Sequence, residues 1–187
     1  APLAELLKAS EDRHQLVIYL VPTKALVNDL YARLSGPLTD MGFKVARKHG
    51  DRPTLPVKTV LNFLFTTPES LDSLLCRAGM LISNVRHVVV DEIHLIDNTY
   101  RGDHVRVLLR RLTECTRHPT LSIQLLSATV PDPEGLSQRY MENPTIVTVG
   151  GPREIESTLV PDVESVIKLI YLSLKKISPR MKLKYIH

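Results

Sequence analysis

The stretch His87–Ile96, HVVVDEIHLI, constrains this chain more than any other. Val88, Val89 and Val90 are β-branched and consecutive, the pattern of a strand buried on both faces of a parallel sheet. Asp91 and Glu92 follow at once, so two carboxylates stand where that strand ends. In open α/β sheets the carboxyl ends of the strands are where ligands bind. Unpaired carboxylates are costly to hold there, and a bound cation is the first candidate to neutralise them.

Other runs supply the rest of the sheet and its covering layers. Strands are expected at Gln15–Val21, at a short extended piece Phe43–Arg47, and at Leu61–Phe65, Val85–Val90, Leu121–Leu126 and Thr145–Val149. Helices are expected at Ala25–Ser35, where Leu26, Leu30 and Leu34 share a face and Gly36-Pro37 ends the element, and from Glu69 to about Leu75. Two more follow at His104–Cys115, with Val105, Leu108, Leu109 and Leu112 inward, and at Glu134–Met141. Residues 2–9 read as the tail of a helix, and His49–Pro53 as a polar turn. Apolar strands alternating with amphipathic helices predict an α/β sandwich on a mainly parallel sheet with right-handed crossovers. The Gly150-Gly151-Pro152 run marks a boundary, dividing residues 1–150 from a linker and the possible start of a second unit over 151–187, with Lys182–His187 as a candidate strand.

Composition narrows the class without choosing a function. The 187 residues suffice for one domain with a sizeable core, and 43% hydrophobic with 24% charged residues is globular. A net charge of +4 is a mild basic excess, compatible with a polyanionic partner. Cys76 and Cys115 stand apart and form no metal-type pair, so a reduced, cytoplasmic setting is expected, and no apolar run approaches a membrane span. The first residue is Ala1, consistent with a chain processed or cut from something longer.

Four stretches fall in a telling order. Pro22-Thr23-Lys24-Ala25-Leu26, Thr67-Pro68-Glu69-Ser70, Asp91-Glu92-Ile93-His94 and Ser127-Ala128-Thr129 each follow an expected strand. Together they resemble motifs Ia, Ib, II (the Walker B box in its DExH form) and III of superfamily-2 helicases. The finer pattern, with KHGDRP, FTTPESLDSLL, DEIHLIDNTYRG and LSATV, is most similar to the large helicase-related (Lhr-like) helicases. The resemblance covers roughly residues 1–150 and implies a first RecA-like lobe, a three-layer P-loop NTPase fold with its first strand and phosphate loop missing.

The resemblance also implies roles. Asp91 would hold Mg2+ through water beside the phosphates of ATP, Glu92 would orient and polarise the attacking water, and His94 would sense the γ-phosphate. Ser127 and Thr129 would couple hydrolysis to domain movement, with His94 hydrogen-bonding toward one of them. Pro22, Thr23, Lys24, Gly50, Thr67, Pro68 and Glu69 would line the path of a nucleic acid, expected to be DNA, touching phosphates without reading bases. The second helicase lobe would be a partner; a membrane would not. Arg101, Arg106, Arg110 and Arg111 read as a solvated helix face, with a DNA-facing one as the lesser alternative.

The sequence departs from the family's pattern in one respect. No Gly-x-x-x-x-Gly-Lys-Ser/Thr phosphate loop occurs, so the chain is expected to begin just after that loop and, in isolation, to be inactive. Two rival readings stay open: a non-catalytic relic that binds nucleic acid or protein, and an unrelated hydrolase with Asp91, Glu92 and His94 as metal ligands.

Overall fold

The structure, a computed structural model, describes residues 15–55, 60–77, 79–116, 121–128 and 130–147. Five strands form one sheet: β1 (Leu16–Leu20), β2 (Val45–Lys48), β3 (Phe63–Thr66), β4 (Val85–Val90) and β5 (Ser122–Leu125), in the order β2-β3-β1-β4-β5. Every pairing between them is parallel, with Tyr19 opposite Val89 and Leu20 opposite Val90. β1 is central because its residues are buried on both sides, Leu16, Ile18 and Leu20 toward one face and Val17 and Val21 toward the other.

Helices cover both faces, giving the expected three layers. Helix α1 (Lys24–Asp40) lays Val27, Leu30 and Leu38 on the face that carries Val17, Phe63 and Phe65. Helices α2 (Pro68–Arg77), α3 (Gly79–Ile82), α4 (Tyr100–Cys115) and α5 (Pro133–Tyr140) contribute to the opposite cluster. There Val105, Leu109 and Leu112 of α4 meet Leu71 and Leu74 of α2 and Val88 and Val90 of β4. Each such side chain removed from water contributes up to about 1.5–3 kcal/mol, so this seam anchors the turn that links β4 to α4.

Four expectations need correction. Gly36-Pro37 does not end α1, because Pro37 lies inside the helix and Leu38 beyond it is buried. Proline removes one helical hydrogen bond, but burial of Leu38 rewards continuation. The stop comes at Gly42, whose φ of 86° closes a Schellman motif: Phe43 N–H donates to Leu38 O and Gly42 N–H to Thr39 O. Leu34, expected inward, is 37% exposed. Finally, residues 145–147 form no strand, and Val147 is 80% exposed; no described strand pairs with them. Helix α4 also begins four residues before His104, capped by Thr99, whose hydroxyl accepts from the Arg101 and Gly102 amides. The expected elements at 2–9 and 182–187, and the linker 151–187, lie outside the described residues.

Candidate functional site

The chain crosses from β3 to β4 past β1, so the sheet's connections reverse direction at β1. The crevice outside the carboxyl ends of β3, β1, β4 and β5 is therefore where a ligand fits such a sheet. Asp91 sits there, its N–H donating to Leu20 O at 2.9 Å. Both carboxylate oxygens are engaged: Oδ1 accepts from Glu92 N at 2.8 Å and Oδ2 from the Tyr19 hydroxyl at 3.3 Å. Burial, then the Asp91 charge and its hydrogen bond, push the Tyr19 phenol up to about 12, so Tyr19 stays a donor to this carboxylate.

Glu92 has φ 52° and ψ 38°, a left-handed conformation that costs a non-glycine residue roughly 1–2 kcal/mol. Neighbouring bonds impose it. Leu126 N–H donates to Val90 O at 2.8 Å and Ile93 N–H to Leu126 O at 3.2 Å, so the chain must turn sharply between them. The result is a half-exposed carboxylate on a strained turn, the kind of backbone that clusters at functional sites.

A 3-10 turn, Ile93–Leu95, then presents His94. Its Nδ1 lies 2.9 Å from Ser127 Oγ and 3.4 Å from Glu92 Oε2. The β4–β5 pairing makes this contact possible, since the two strands end side by side. Thr129, the other expected coupling residue, lies outside the described residues. Among the described residues no three His, Cys, Asp or Glu side chains converge to hold a metal ion, so Asp91, Glu92 and His94 do not form a ligand triad. Asp91 alone still offers hard oxygens whose remaining lone pairs suit Mg2+ held through water.

The nucleic-acid candidates lie on neighbouring loops. Thr23 caps α1, its hydroxyl accepting from Leu26 N at 3.3 Å. Lys24 lies across Gly50, and its Nζ pairs with Asp51 Oδ1 at 2.7 Å. A Cβ on Gly50 would stand 3.3 Å from the tip of Lys24. On the next strand end, Thr67 is buried and hydrogen-bonds Glu69, and Pro68 opens α2.

Sequence reasoning missed the residue that joins these loops. Arg101 donates from Nη2 to Pro22 O at 2.7 Å and from Nε to Glu69 Oε1 at 2.9 Å. Its side chain is only 26% exposed, so it is no solvated helix residue. Burial resists ionisation of Glu69, but a backbone N–H and Arg101 outweigh it and hold the carboxyl below its ordinary range. Arg111 is likewise paired, with Asp72. The signal for Arg101 was tertiary: Glu69 lies 32 residues away and Pro22 lies 79.

A second cluster was also invisible. Arg139 and Tyr140 of α5 both donate to Asp97, Tyr140 to Oδ1 at 3.0 Å. Burial opposes ionisation of Asp97, yet these bonds hold its carboxyl below the usual range. Gly102 lets α4 pack here, since a Cβ would stand 2.6 Å from Ile96 O and 2.7 Å from the Tyr140 hydroxyl.

Comparison with known proteins follows the same lines. The family model described as DEAD/DEAH box helicase matches residues 1–136. The ATP-dependent DNA helicase Hel308 of Methanocaldococcus jannaschii is 34% identical over 123 residues, 65% of this chain and 10% of that protein. The Lhr helicase/probable uracil glycosylase of Mycolicibacterium smegmatis is 34% identical over 154 residues, 73% of this chain and 10% of that protein. Among solved structures, the Mycobacterium smegmatis helicase Lhr bound to ssDNA and AMP-PNP superposes with a TM-score of 0.60 at 34% identity, covering 73% of this chain and 20% of that one. The chain thus spans about a tenth of the length of these curated relatives. Among the described residues no helix is long and apolar enough to cross a membrane.

Proposed function

Because the chain belongs to the DEAD/DEAH box helicase family, we propose that it forms most of the first RecA-like lobe of an ATP-dependent helicase that moves on DNA. The observation that carries this reading is the juxtaposition along one sheet edge of a strained carboxylate turn, Asp91-Glu92, with the Pro22–Lys24 and Thr67–Glu69 loops. The three segments follow β4, β1 and β3, which lie side by side in the sheet, so a change at the first has short structural routes to the others.

Asp91, fixed by Tyr19 and the Glu92 amide, is the residue that would hold Mg2+ through water, and Mg2+ when bound neutralises phosphate charge. Glu92 accepts a proton from, and orients, the attacking water. His94 takes Ser127 as its partner and stands within reach of Glu92, so a change at the carboxylate reaches the β5 end directly. Lys24 and the Thr23, Gly50 and Thr67 amides take phosphates of one strand, which gives affinity without base specificity. The second helicase lobe is the proposed partner across the crevice.

The test is substitution in a full-length helicase containing this lobe. Glu92→Gln keeps shape but loses the proton acceptor, and turnover of ATP should fall by about 10²–10⁴ while nucleotide binding persists. Asp91→Asn should instead raise the Mg2+ concentration needed for nucleotide binding. Full turnover by the Glu92→Gln enzyme would overturn the assignment.

A further inference from the structure

We propose that Arg101 is the positioning residue that sets the spacing of the nucleic-acid track, by locking the Pro22–Lys24 loop to the Thr67–Glu69 loop. The inference rests on the nucleic-acid reading above and assigns a part to a residue outside the four motifs that suggested it. The guanidinium is a planar fork, and here it is spent on two different loops: Nη2 on the Pro22 carbonyl, Nε and Nη2 on Glu69 Oε1. Charge-assisted bonds of this kind are roughly twice as strong as neutral ones, and three-quarters of the side chain is shielded from water.

Pro22 and Glu69 occupy telling positions. Pro22 is the residue before the Thr23 cap, so fixing its carbonyl fixes where α1 and Lys24 begin. Glu69 is the second residue of α2, and Thr67 hydrogen-bonds it, so fixing its carboxylate fixes the Thr67 turn. A carboxylate cannot itself accept a phosphate, and Glu69 therefore serves the track by holding Arg101. The same arginine is the second residue of α4, which the chain enters directly from the Ile93–Leu95 turn that follows the two carboxylates. One side chain thus links the hydrolysis turn with both phosphate-facing loops.

Binding of the 187-residue chain to a fluorescein-labelled oligothymidylate, followed by anisotropy at several salt concentrations, tests this. Arg101→Gln should weaken binding about tenfold, a change of about 1.4 kcal/mol. Glu69→Gln should weaken it by a similar factor, and the double substitution should be no worse than either alone, because one lock is being opened twice. Arg101→Lys, which keeps the charge but not the fork, should remain well below the unsubstituted chain. Thermal midpoints measured alongside separate loss of position from loss of fold. Unchanged affinity in folded Arg101→Gln would overturn the proposal. So would tighter binding by Glu69→Gln, since Arg101 would then be a phosphate ligand that Glu69 merely masks. Should Arg101→Gln fail to fold, Glu69→Gln and Arg101→Lys decide the matter by the same comparison. No binding by the unsubstituted chain at any salt would instead overturn the nucleic-acid reading itself.

Discussion

His94 and Ser127 are in hydrogen-bond contact, Nδ1 to Oγ at 2.9 Å, across 33 residues of sequence. The pair spans the ends of β4 and β5, and Glu92 Oε2 stands 3.4 Å from the same ring nitrogen. One imidazole nitrogen is therefore shared between a carboxylate that would act on water and a hydroxyl on the neighbouring strand. Ser127 is exposed, so the bond is worth about 0.5–1 kcal/mol at most. Ser127→Ala should shift the thermal midpoint by only about 1–3 °C in a chain of this size. The His94 ring-nitrogen resonances should nonetheless move in a 15N spectrum. Unmoved resonances would show that the contact is absent in solution.

Tyr19 gives a pH signature. Its phenol is raised to about 12 by burial and by Asp91, from an ordinary value near 10. A raised folded value means that the stabilisation is fully present below pH 10 and is lost as pH climbs through about 12. Alkaline absorbance titration should show one phenol titrating near that value, and Tyr19→Phe should remove it. The Tyr140 phenol is also raised, by burial and Asp97, so a second late titration should survive the substitution. Loss of a signal near pH 10 in Tyr19→Phe would contradict the Asp91 contact.

Lys24 is engaged by Asp51 at 2.7 Å, and both side chains are more than half exposed. A phosphate must compete with that carboxylate for the ammonium. The competition is weak, because exposed pairs are well screened. Asp51→Asn should therefore tighten binding of single-stranded DNA by about two- to fivefold at low salt, with the gain fading as salt rises. Titration of the variant at two salt concentrations checks it. A weaker complex would mean that Asp51 positions Lys24 instead of competing for it.

Much of this arrangement was legible in the sequence, and the misses share one cause. Val88–Val90 announced a doubly buried strand, and the two carboxylates announced its ligand-facing end, because burial and chain direction are local properties. Gly36-Pro37 misled because local breaker chemistry was outweighed by burial of Leu38. The expected strand Thr145–Val149 misled over its described part, 145–147, because no described strand lies beside those residues to pair with them. Arg101 and Asp97 were silent because their partners, Pro22, Glu69, Arg139 and Tyr140, are brought near only by the fold. Sequence periodicity reports which face is apolar; it does not report which charged residue on the other face finds a partner.

Glu92 supplies the sharpest test, because its backbone and its side chain make opposite demands. At φ 52° it occupies the left-handed region, which costs about 1–2 kcal/mol for a residue with a Cβ. Glycine relieves that strain but adds about 0.5–1 kcal/mol of unfolded-state freedom. Glu92→Gly should thus be neutral or stabilise the chain by up to about 1 kcal/mol in urea denaturation. Arg110, exposed in the interior of α4, is the control: Arg110→Gly meets no strain to relieve and should lose about 1 kcal/mol. Glu92→Gln keeps the Cβ and the strain, and should match the unsubstituted chain. In a full-length helicase containing this lobe, Glu92→Gly and Glu92→Gln should both lose ATP turnover, although only the first gains stability. That pattern would mark Glu92 as a position where the fold accepts strain to keep a carboxylate. Equal losses of stability in Glu92→Gly and Arg110→Gly would show that the turn carries no strain and that this reading of Glu92 is wrong.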